Sequence, residues 1–449
     1  MALSFPTYAI QYLRENHEHS FPGGTRVPTL RWALGSLYKW GGTHYTEWDP
    51  KVFHAHLTKW LADKQMPLTR HYRETETHVL SSLILAAPAE LPSWIGPRDR
   101  NTRTWLAFTN GILDLTTLLQ TGKPTLLPHT PEWFSTTVLP YAYSAEADCP
   151  TFKRCLGEWF PDDPSIAPFL QEFAGYLLVP ETYLHAGLFL EGVGRNGKST
   201  FLKAMQGMIG RTNYSTLALD GFKGEYALDS TIGKLANFAS ETDPGARIPL
   251  ATLKAYIAGD DMTTNRKYQK HVTFTPTARL VVAWNERPVI KDTSDGFWER
   301  IKLIAFKRQF LGSAADTSLD DKLRLELPGI LNWAVEGYRR LKERGRLPEC
   351  PSVKRAGENF RSQSDPVRSY IMEHWARGDG EPLTKNMVYN HYLQHRLDQE
   401  TEPLTEERFF KELYRCLPGV EAARHRIGKA DVRVPVLTGL CLKEQQPWR

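Results

Sequence analysis

The chain has 449 residues, of which 41% are hydrophobic and 24% are charged, and its formal net charge is +5. These values are ordinary for globular proteins, and the length indicates about three domains. No apolar run reaches the roughly 18 residues of a membrane span, and the stretch Met1–Phe5 lacks the features of a signal peptide. The five cysteines form no C-x-x-C pair, which argues against a disulfide framework or a zinc site. We therefore expect a soluble cytoplasmic protein with no membrane partner, whose mild basicity is compatible with a polyanion.

Residues 1–145 are predicted to form an α+β accessory domain. Aromatic residues flank two glycines in the stretch 37–45, which is typical of a hairpin. Apolar residues at helical spacing predict a helix over 52–61, and 105–115 reads as two strands around an Asn-Gly turn. No convincing pair of carboxylates lies on an apolar strand here, so the two-metal chemistry of a polymerase or primase is not expected of this domain.

A phosphate-binding loop follows a predicted helical collar at 146–180. The stretch beginning at Gly192 fits G-x-x-x-x-G-K-[ST], with an apolar strand before it and an amphipathic helix after it. Unpaired N–H groups at such a helix start point toward a phosphate anion. Lys198 should reach the outer phosphates, and the Ser199 hydroxyl should ligate Mg²⁺. The residues expected to bind ATP are Gly192, Gly194, Asn196, Gly197, Lys198, Ser199 and Thr200.

An apolar stretch at 235–239 ends in carboxylates. An NTPase needs an acid at a strand end to position Mg²⁺ and to polarise the attacking water. We predict that Glu241 has this role as catalytic residue and metal ligand, and Asp243 is the second candidate.

A further strand, predicted at 279–285, ends in Asn285, whose amide could orient the attacking water. Arg300 follows fifteen residues later. A guanidinium beside the γ-phosphate of a neighbouring subunit neutralises charge in the transition state. A strand cap for Asn285 and a surface ion pair for Arg300 are the alternatives.

The order of these motifs resembles the superfamily 3 helicases, specifically the phage, plasmid and poxvirus primase-helicase type of AAA+ ATPase. The phosphate loop looks like that family's version, and Glu241 matches its second acidic motif, although Ser240 stands where many members have an acid. Asn285 falls on the polar sensor position. Arg300 falls on the arginine-finger position, where many relatives have two arginines and this chain has Glu299 and Arg300.

The resemblance extends to either side of these residues. Leu253–Asp261 with the basic residues that follow is similar to the motif unique to this superfamily, and Leu327–Tyr338 looks like the closing helix. Asn110–Leu115 and Pro128–Glu132 resemble the domain that precedes the helicase core. The resemblance implies an α/β AAA+ P-loop NTPase core with a parallel sheet at 181–345.

What the resemblance implies for assembly is a ring, expected to be a hexamer, with ATP and Mg²⁺ at subunit interfaces and DNA through the centre. The basic, aromatic-bearing stretch 266–271 lies between predicted strands and suits a loop that contacts DNA phosphates. Its candidate DNA-binding residues are Arg266, Lys267 and Lys270. A solvated hairpin tip is the alternative.

Residues 346–366 are polar and are predicted to be a linker. Beyond it, 367–449 is predicted to be a winged-helix-like domain with helices at Val367–Trp375, Lys385–Leu397 and Thr405–Leu413. A hairpin with a basic tip follows, where DNA contact is expected from Arg424, Arg426 and Lys429. Docking of another protein is the alternative for this domain.

The sequence therefore predicts an ATP-dependent replicative DNA helicase of a phage or mobile element. One alternative is a DNA-stimulated ATPase that loads or remodels replication proteins without unwinding. The other is a nucleotide-gated module that binds nucleic acid without useful hydrolysis. A separate primase is a candidate partner, because the chain shows no priming chemistry of its own.

Overall fold

The computed structural model divides the chain into two compact units, residues 1–288 with 294–356, and residues 289–293 with 357–449. The structure describes residues 5–22, 24–66, 68–85, 91–97, 100–240, 248–266, 271–288, 290, 295–312, 316–426 and 433–443. Within these ranges, every helix is too short or too polar to cross a membrane.

The N-terminal part of the first unit mixes helices with small antiparallel sheets. Its helices are α1 (Phe5–Asn16), α2 (Pro50–Asp63), α3 (Arg70–Leu83) and α4 (Leu115–Thr121). Its strands are β1 (Glu18–Ser20), β2 (Arg26–Pro28), β3 (Leu30–Ala33), β4 (Ser36–Trp40), β5 (Tyr45–Glu47), β6 (Ser93–Trp94), β7 (Trp105–Phe108), β8 (Gly111–Asp114), β9 (Leu126–Leu127) and β10 (Trp133–Phe134).

Local sequence explains the predicted elements of this part. Helix α2 begins at Pro50 because the Asp49 carboxylate accepts hydrogen bonds from the N–H groups of the first turn. The helix buries the apolar face that was predicted, which consists of Phe53, Leu57, Trp60 and Leu61. Strands β4 and β5 pair around the two glycines, and β7 and β8 pair around the Asn-Gly turn. All three sequence predictions are confirmed.

The collar and an α/β core complete the first unit. Helices α5 (Pro150–Trp159) and α6 (Ile166–Tyr176) confirm the predicted collar helices. The core contains β11 (Gly187–Glu191), α7 (Lys198–Ile209), β12 (Tyr214–Ser215), β13 (Ala236–Ala239), α8 (Leu250–Ala258), β14 (Met262–Thr264), β15 (Val272–Phe274), β16 (Arg279–Trp284), α9 (Asp295–Trp298), β17 (Ile301–Ala305), α10 (Leu319–Leu325) and α11 (Leu327–Arg344).

The core sheet has five parallel strands in the order β12-β13-β16-β11-β17. Strand β11 lies between β16 and β17, and its residues are almost all buried, which agrees with the continuous apolar runs typical of parallel strands. The carboxyl ends of parallel strands share one edge of the sheet, where ligands of α/β proteins bind. This arrangement is consistent with the predicted P-loop core.

The collar is packed against the core by the long helix α11. The Glu172 carboxylate on α6 is 1% exposed and accepts two hydrogen bonds from the Arg344 guanidinium, at 2.5 and 2.9 Å. Such a buried, bidentate pair fixes orientation as well as distance. The collar and helix α7, which follows the phosphate loop, belong to the same hydrophobic core. In that core, Phe152 of the collar stacks on Phe201 of α7.

The predicted linker 346–366 is largely helical instead of irregular. Helix α12 (Pro351–Ser364) occupies most of it, and the boundary between the two units falls inside this helix. Polarity indicated a connector, but Lys354, Arg355 and Glu358 are good helix formers, and proline is well tolerated in a first turn. A polar segment that lacks a run of turn-forming residues can therefore form a helix as readily as a loop.

The second unit contains α13 (Pro366–His374), β18 (Trp375–Arg377), β19 (Leu383–Thr384), α14 (Lys385–Asp398), α15 (Glu406–Cys416), β20 (Glu421–Arg426), β21 (Arg433–Thr438) and β22 (Leu440–Leu442). The three predicted helices and the hairpin after them are confirmed. The helices share an aromatic core in which Tyr392 stacks on Phe409 with ring centroids 4.4 Å apart. Thr405 precedes α15, but its side chain makes no capping hydrogen bond.

Candidate nucleotide site

The phosphate loop connects the carboxyl end of β11 to the start of α7. Gly192 has no room for a side chain, because a Cβ there would overlap the Asn196 amide and the Phe306 carbonyl. Gly197 has a left-handed φ of 89°, and a Cβ there would overlap the indole of Trp159. Both glycines are therefore required by close approach, and the collar residue Trp159 braces the loop from outside.

Asn196 ties the loop to the neighbouring strand. Its Nδ2 donates to the Phe306 carbonyl at 3.0 Å, just beyond β17, and its Oδ1 accepts from the Lys198 N–H at 3.3 Å. The residue is 3% exposed, so both bonds are shielded from water. The shape of the loop is thus determined by a contact to β17 as well as by its glycines.

Two predicted site residues are in direct contact: Lys198 at the start of α7 and Asn285 just after β16. The Lys198 Nζ donates to Asn285 Oδ1 at 2.7 Å, to the Trp284 carbonyl at 2.6 Å and to the Gly192 carbonyl at 3.0 Å. Lys198 is 5% exposed. A buried ammonium held by three oxygens lies where the phosphate loop meets the end of β16, which is the place the sequence predicted for a water-orienting amide.

The first turn of α7 fits a triphosphate and its metal. Gly197 occupies the cap position and has no side chain to cap the helix, although Asn196 accepts from the Lys198 N–H, and N–H groups at such a helix start attract an anion. Ser199 is exposed in this turn, where its hydroxyl can face a metal ion, and Thr200 follows it. The residues present therefore suit the predicted nucleotide. Glu241 and Asp243 lie outside the described residues, beyond the end of β13.

Arg300 is at the opposite edge of the sheet. Its carbonyl accepts from the Gly187 N–H at 2.9 Å, and Ile301 is in register with Gly187 at the amino ends of their strands. A five-residue strand is about 13 Å long, so the guanidinium is separated from its own phosphate loop by the length of β11. Its Nη1 donates to the Gly296 carbonyl, whereas its buried Nε has no hydrogen-bond partner among the described residues.

Arg266 is buried inside its own chain, which corrects the prediction that it contacts DNA. The residue is 8% exposed, and its guanidinium forms ion pairs with Glu47 at 3.0 Å and with Asp229 at 2.6 Å. A DNA phosphate could not reach a cation that is already enclosed by two carboxylates. The sequence shows the basic residues that follow Arg266, but it does not show that the fold brings the carboxylates of Glu47 and Asp229 to it.

The other predicted DNA-contact residues are only partly described. Strands β14 and β15 form the antiparallel hairpin expected around 266–271, whereas Lys267 and Lys270 lie outside the described residues. Arg424 is exposed on β20. Arg426 ends that strand opposite Arg433, its side chain is not described, and Lys429 lies outside the described residues.

Sequence reasoning missed an ion pair at the edge of the phosphate loop. The Glu191 carboxylate, at the end of β11, accepts hydrogen bonds from two nitrogens of Arg287, one of them at 2.6 Å. Both side chains are mostly buried, at 15% and 23% exposed. The pair joins the ends of β11 and β16 beside Lys198. The sequence does show an acidic residue at the end of one strand and a basic residue after another. It does not show that the two strands are neighbours, so the ion pair could not be predicted from it.

Two family descriptions match the chain. Residues 32–161 match a family described as D5 N terminal like, and residues 190–300 match a family of unknown function, DUF5906. The first covers most of the N-terminal part and helix α5. The second begins on β11 and ends at Arg300, so it contains both edges of the sheet described above.

Two viral proteins are similar in sequence. The chain is 22% identical over 317 residues to a protein of Acanthamoeba polyphaga mimivirus named as a candidate helicase, L207/L206, which covers 64% of this chain and 32% of the relative. It is 25% identical over 230 residues to a candidate helicase, 121R, of Invertebrate iridescent virus 3, covering 43% and 24% respectively. The chain thus spans a third or less of the length of these relatives.

Solved structures of the C-terminal region of NrS-1 share the fold. An apo structure of that region superposes with a TM-score of 0.56 at 9% identity, covering 98% of this chain and 100% of the other. A second form has a TM-score of 0.51 at 10% identity, with the same coverage. At such low identity the likeness concerns the fold alone.

The order of the sequence motifs, the match to the family described as D5 N terminal like and the two viral proteins named as candidate helicases support a phage or viral helicase of the superfamily 3 type as the class that this chain resembles.

Proposed function

We propose that the chain is an ATP hydrolase that drives a replicative DNA helicase of a phage or other mobile element, as an AAA+ ring of identical subunits. The observation that carries the proposal is the division of the predicted site between the two edges of one parallel sheet. Lys198 and Asn285 meet at the carboxyl edge, and Arg300 lies at the amino edge.

Nucleotide binding follows from the carboxyl edge. The positive end of the α7 dipole and the N–H groups of its first turn attract the phosphates. Lys198 would exchange one or more of its three oxygen acceptors for phosphate oxygens, which keeps its charge paired throughout. Mg²⁺, when bound, would offset the charge of the outer phosphates, with the Ser199 hydroxyl and the Glu241 carboxylate as its protein ligands.

Hydrolysis requires a positioned water molecule and neutralisation of the charge that develops on the γ-phosphate. Glu241 would accept a proton from the water, and the Asn285 amide, held by Lys198 in the described contact, would orient it. Replacing Glu241 by Gln should therefore remove hydrolysis while ATP still binds. Hydrolysis by this variant at the wild-type rate would contradict the assignment of Glu241.

Arg300 would complete the site of a neighbouring subunit. The length of β11 keeps it from its own phosphate loop, so its guanidinium would act on the γ-phosphate that a neighbouring subunit binds. A heterologous contact that repeats around an axis closes into a ring, and we propose a hexamer with DNA through its centre.

Mixed rings test this arrangement. Lys198→Ala and Arg300→Ala subunits are each expected to be inactive alone. When they are mixed, some interfaces combine an intact phosphate loop from one variant with an intact arginine from the other, so ATP hydrolysis should return. Absence of recovery, in mixtures shown to assemble together, would contradict action between subunits.

DNA contact is proposed for the β14–β15 hairpin through Lys267 and Lys270, and for a winged-helix-like second unit through Arg424, Arg426 and Lys429. The Lys267→Ala, Lys270→Ala double variant should hydrolyse ATP without stimulation by DNA. The names of the viral relatives support a helicase. Unwinding of a forked duplex by the wild type tests this directly, and DNA-stimulated hydrolysis without unwinding would favour a loading or remodelling ATPase.

A further inference from the structure

In the hairpin formed by β14 and β15, the connecting segment carries near its start a residue that is hydrogen-bonded to the N-terminal domain. We propose that Arg266 is a positioning residue through which the N-terminal domain determines where this hairpin stands on the ATPase core. The anchoring itself depends only on described contacts, whereas its consequence for DNA rests on the proposed function.

The Arg266 guanidinium is shared between the core and the N-terminal domain. On the core side, its Nε donates to Asp229 at 2.6 Å. On the other side, its Nη2 donates to the two carboxylate oxygens of Glu47 at 3.0 and 3.3 Å. Its Nη1 donates to the Leu34 carbonyl at 2.9 Å and to the Ser36 hydroxyl at 2.7 Å. A planar fork with acceptors on every nitrogen fixes both position and orientation, which a lysine could not do.

The residues just before Arg266 are attached to the core as well. The Asn265 N–H donates to the Glu225 carbonyl at 3.2 Å, and its Nδ2 donates to the Glu225 carboxylate at 2.5 Å. The Thr264 hydroxyl donates to the same carbonyl at 3.3 Å. Glu225 lies in the segment between β12 and β13. The first strand of the hairpin is therefore tied to the core by one set of contacts and to the N-terminal domain by another.

Burial makes the arginine dependent on both carboxylates. Its side chain is 7% exposed, whereas Glu47 is 41% and Asp229 is 34% exposed. The three residues border a cavity of about 450 Å³ that Lys234 also lines. Because an enclosed guanidinium that loses a partner is costly, removal of Glu47 should displace Arg266 and the end of β14 that precedes it.

Hydrogen exchange of the full-length chain tests the anchor. Glu47→Ala should speed amide exchange of residues 262–266 by about tenfold, the factor expected for the loss of one charge-assisted hydrogen bond. Glu74→Ala is the matched control, because Glu74 is an exposed carboxylate of the same domain, 2.7 Å from Arg70. The control should leave exchange in 262–266 unchanged.

Asp229→Asn tests the core side and keeps the experiment informative if Glu47→Ala folds poorly. Faster exchange in 262–266 with either variant, at an unchanged midpoint of thermal unfolding, supports the anchor. Exchange at the wild-type rate in both variants overturns it.

ATP hydrolysis with and without forked DNA tests the positioning role. Glu47→Ala should lose DNA stimulation several-fold, while hydrolysis without DNA stays at the wild-type rate. Faster amide exchange together with full DNA stimulation would overturn the positioning role of Arg266 and would show that its contacts serve packing alone. A wild type that shows no DNA-stimulated hydrolysis would contradict the proposed function, whereas the exchange result would still decide the anchor.

Discussion

The two edges of the core sheet differ in how many hydrogen-bond acceptors surround their positively charged side chains. At the carboxyl edge, Lys198 is buried and donates to three oxygens, and Glu191 and Arg287 form an ion pair beside it. At the amino edge, Arg300 donates to one carbonyl, and its buried Nε has no partner among the described residues. The lysine at one edge is paired within the chain, whereas the arginine at the other edge has a buried nitrogen without a partner among the described residues.

This difference indicates how the chemistry can be divided. Strands β11 and β17 are parallel and in register, so residues at their opposite ends cannot approach each other within one chain. If the carboxyl edge binds ATP and the amino edge neutralises charge, as we propose, the two edges meet only when a second copy brings its amino edge to the first copy's carboxyl edge. The predictions below test whether substitutions at the two edges change ATP binding and ATP hydrolysis in different ways.

The largest effect is expected at the carboxyl edge. Lys198→Ala should abolish ATP hydrolysis, with a loss of at least about 10³-fold, because it removes the phosphate-binding cation and the partner of Asn285. Phosphate release measures the rate. Lys203→Ala is the matched control, one turn further along α7 and paired on the surface with Asp320 at 2.5 Å. Equal rates for the two variants would contradict the assignment.

Arg300→Ala should lower hydrolysis by about 10³-fold, the lower end of what an arginine finger contributes, while ATP affinity remains within a few-fold of the wild type. This split between rate and affinity is what distinguishes the amino edge from the carboxyl edge. Equilibrium binding of an ATP analogue and phosphate release measure the two quantities. Arg154→Ala, an exposed arginine paired with Glu158, should change neither.

Asn285→Ala should lower hydrolysis by about 10²-fold, the range expected for a single orienting group, with a smaller change in affinity. The residue touches Lys198 but lies at the end of β16. If this variant lost affinity as completely as Lys198→Ala, Asn285 would be a support of the lysine and not an orienter of water.

The smallest effect is expected from the contact between the loop and β17. Asn196→Ala removes the bond to the Phe306 carbonyl and leaves that group unpaired, a cost of about 1–3 kcal/mol. ATP affinity should fall by about tenfold or more, and the hydrolysis rate at saturating ATP should change little. A large fall in the saturated rate with normal affinity would show that the contact shapes the catalytic geometry instead of the binding loop.

Elements that depend on neighbouring residues were predictable from the sequence. The phosphate loop, helix α2 and the hairpin of β4 and β5 have their glycines, caps and apolar periodicity within a few residues of one another. The same holds for the strands that end at Asn285 and before Glu241, because continuous apolar runs identify buried parallel strands. The helix at 351–364 was missed, since polarity alone does not distinguish a connector from an exposed helix.

The sequence by itself determined that a glycine-rich loop of the phosphate-binding pattern joins a strand to a helix, which residues form it, and that an amide and an arginine follow it in order. Only the tertiary structure decided that Lys198 bonds Asn285, that Arg300 is a strand's length away from both, and that Arg266 is enclosed by Glu47 and Asp229. The physical reason is the distance along the chain over which each kind of interaction acts. Backbone geometry and capping act over a few residues, whereas the partners of a buried charge are determined by strand order and packing, which bring together positions up to 232 residues apart.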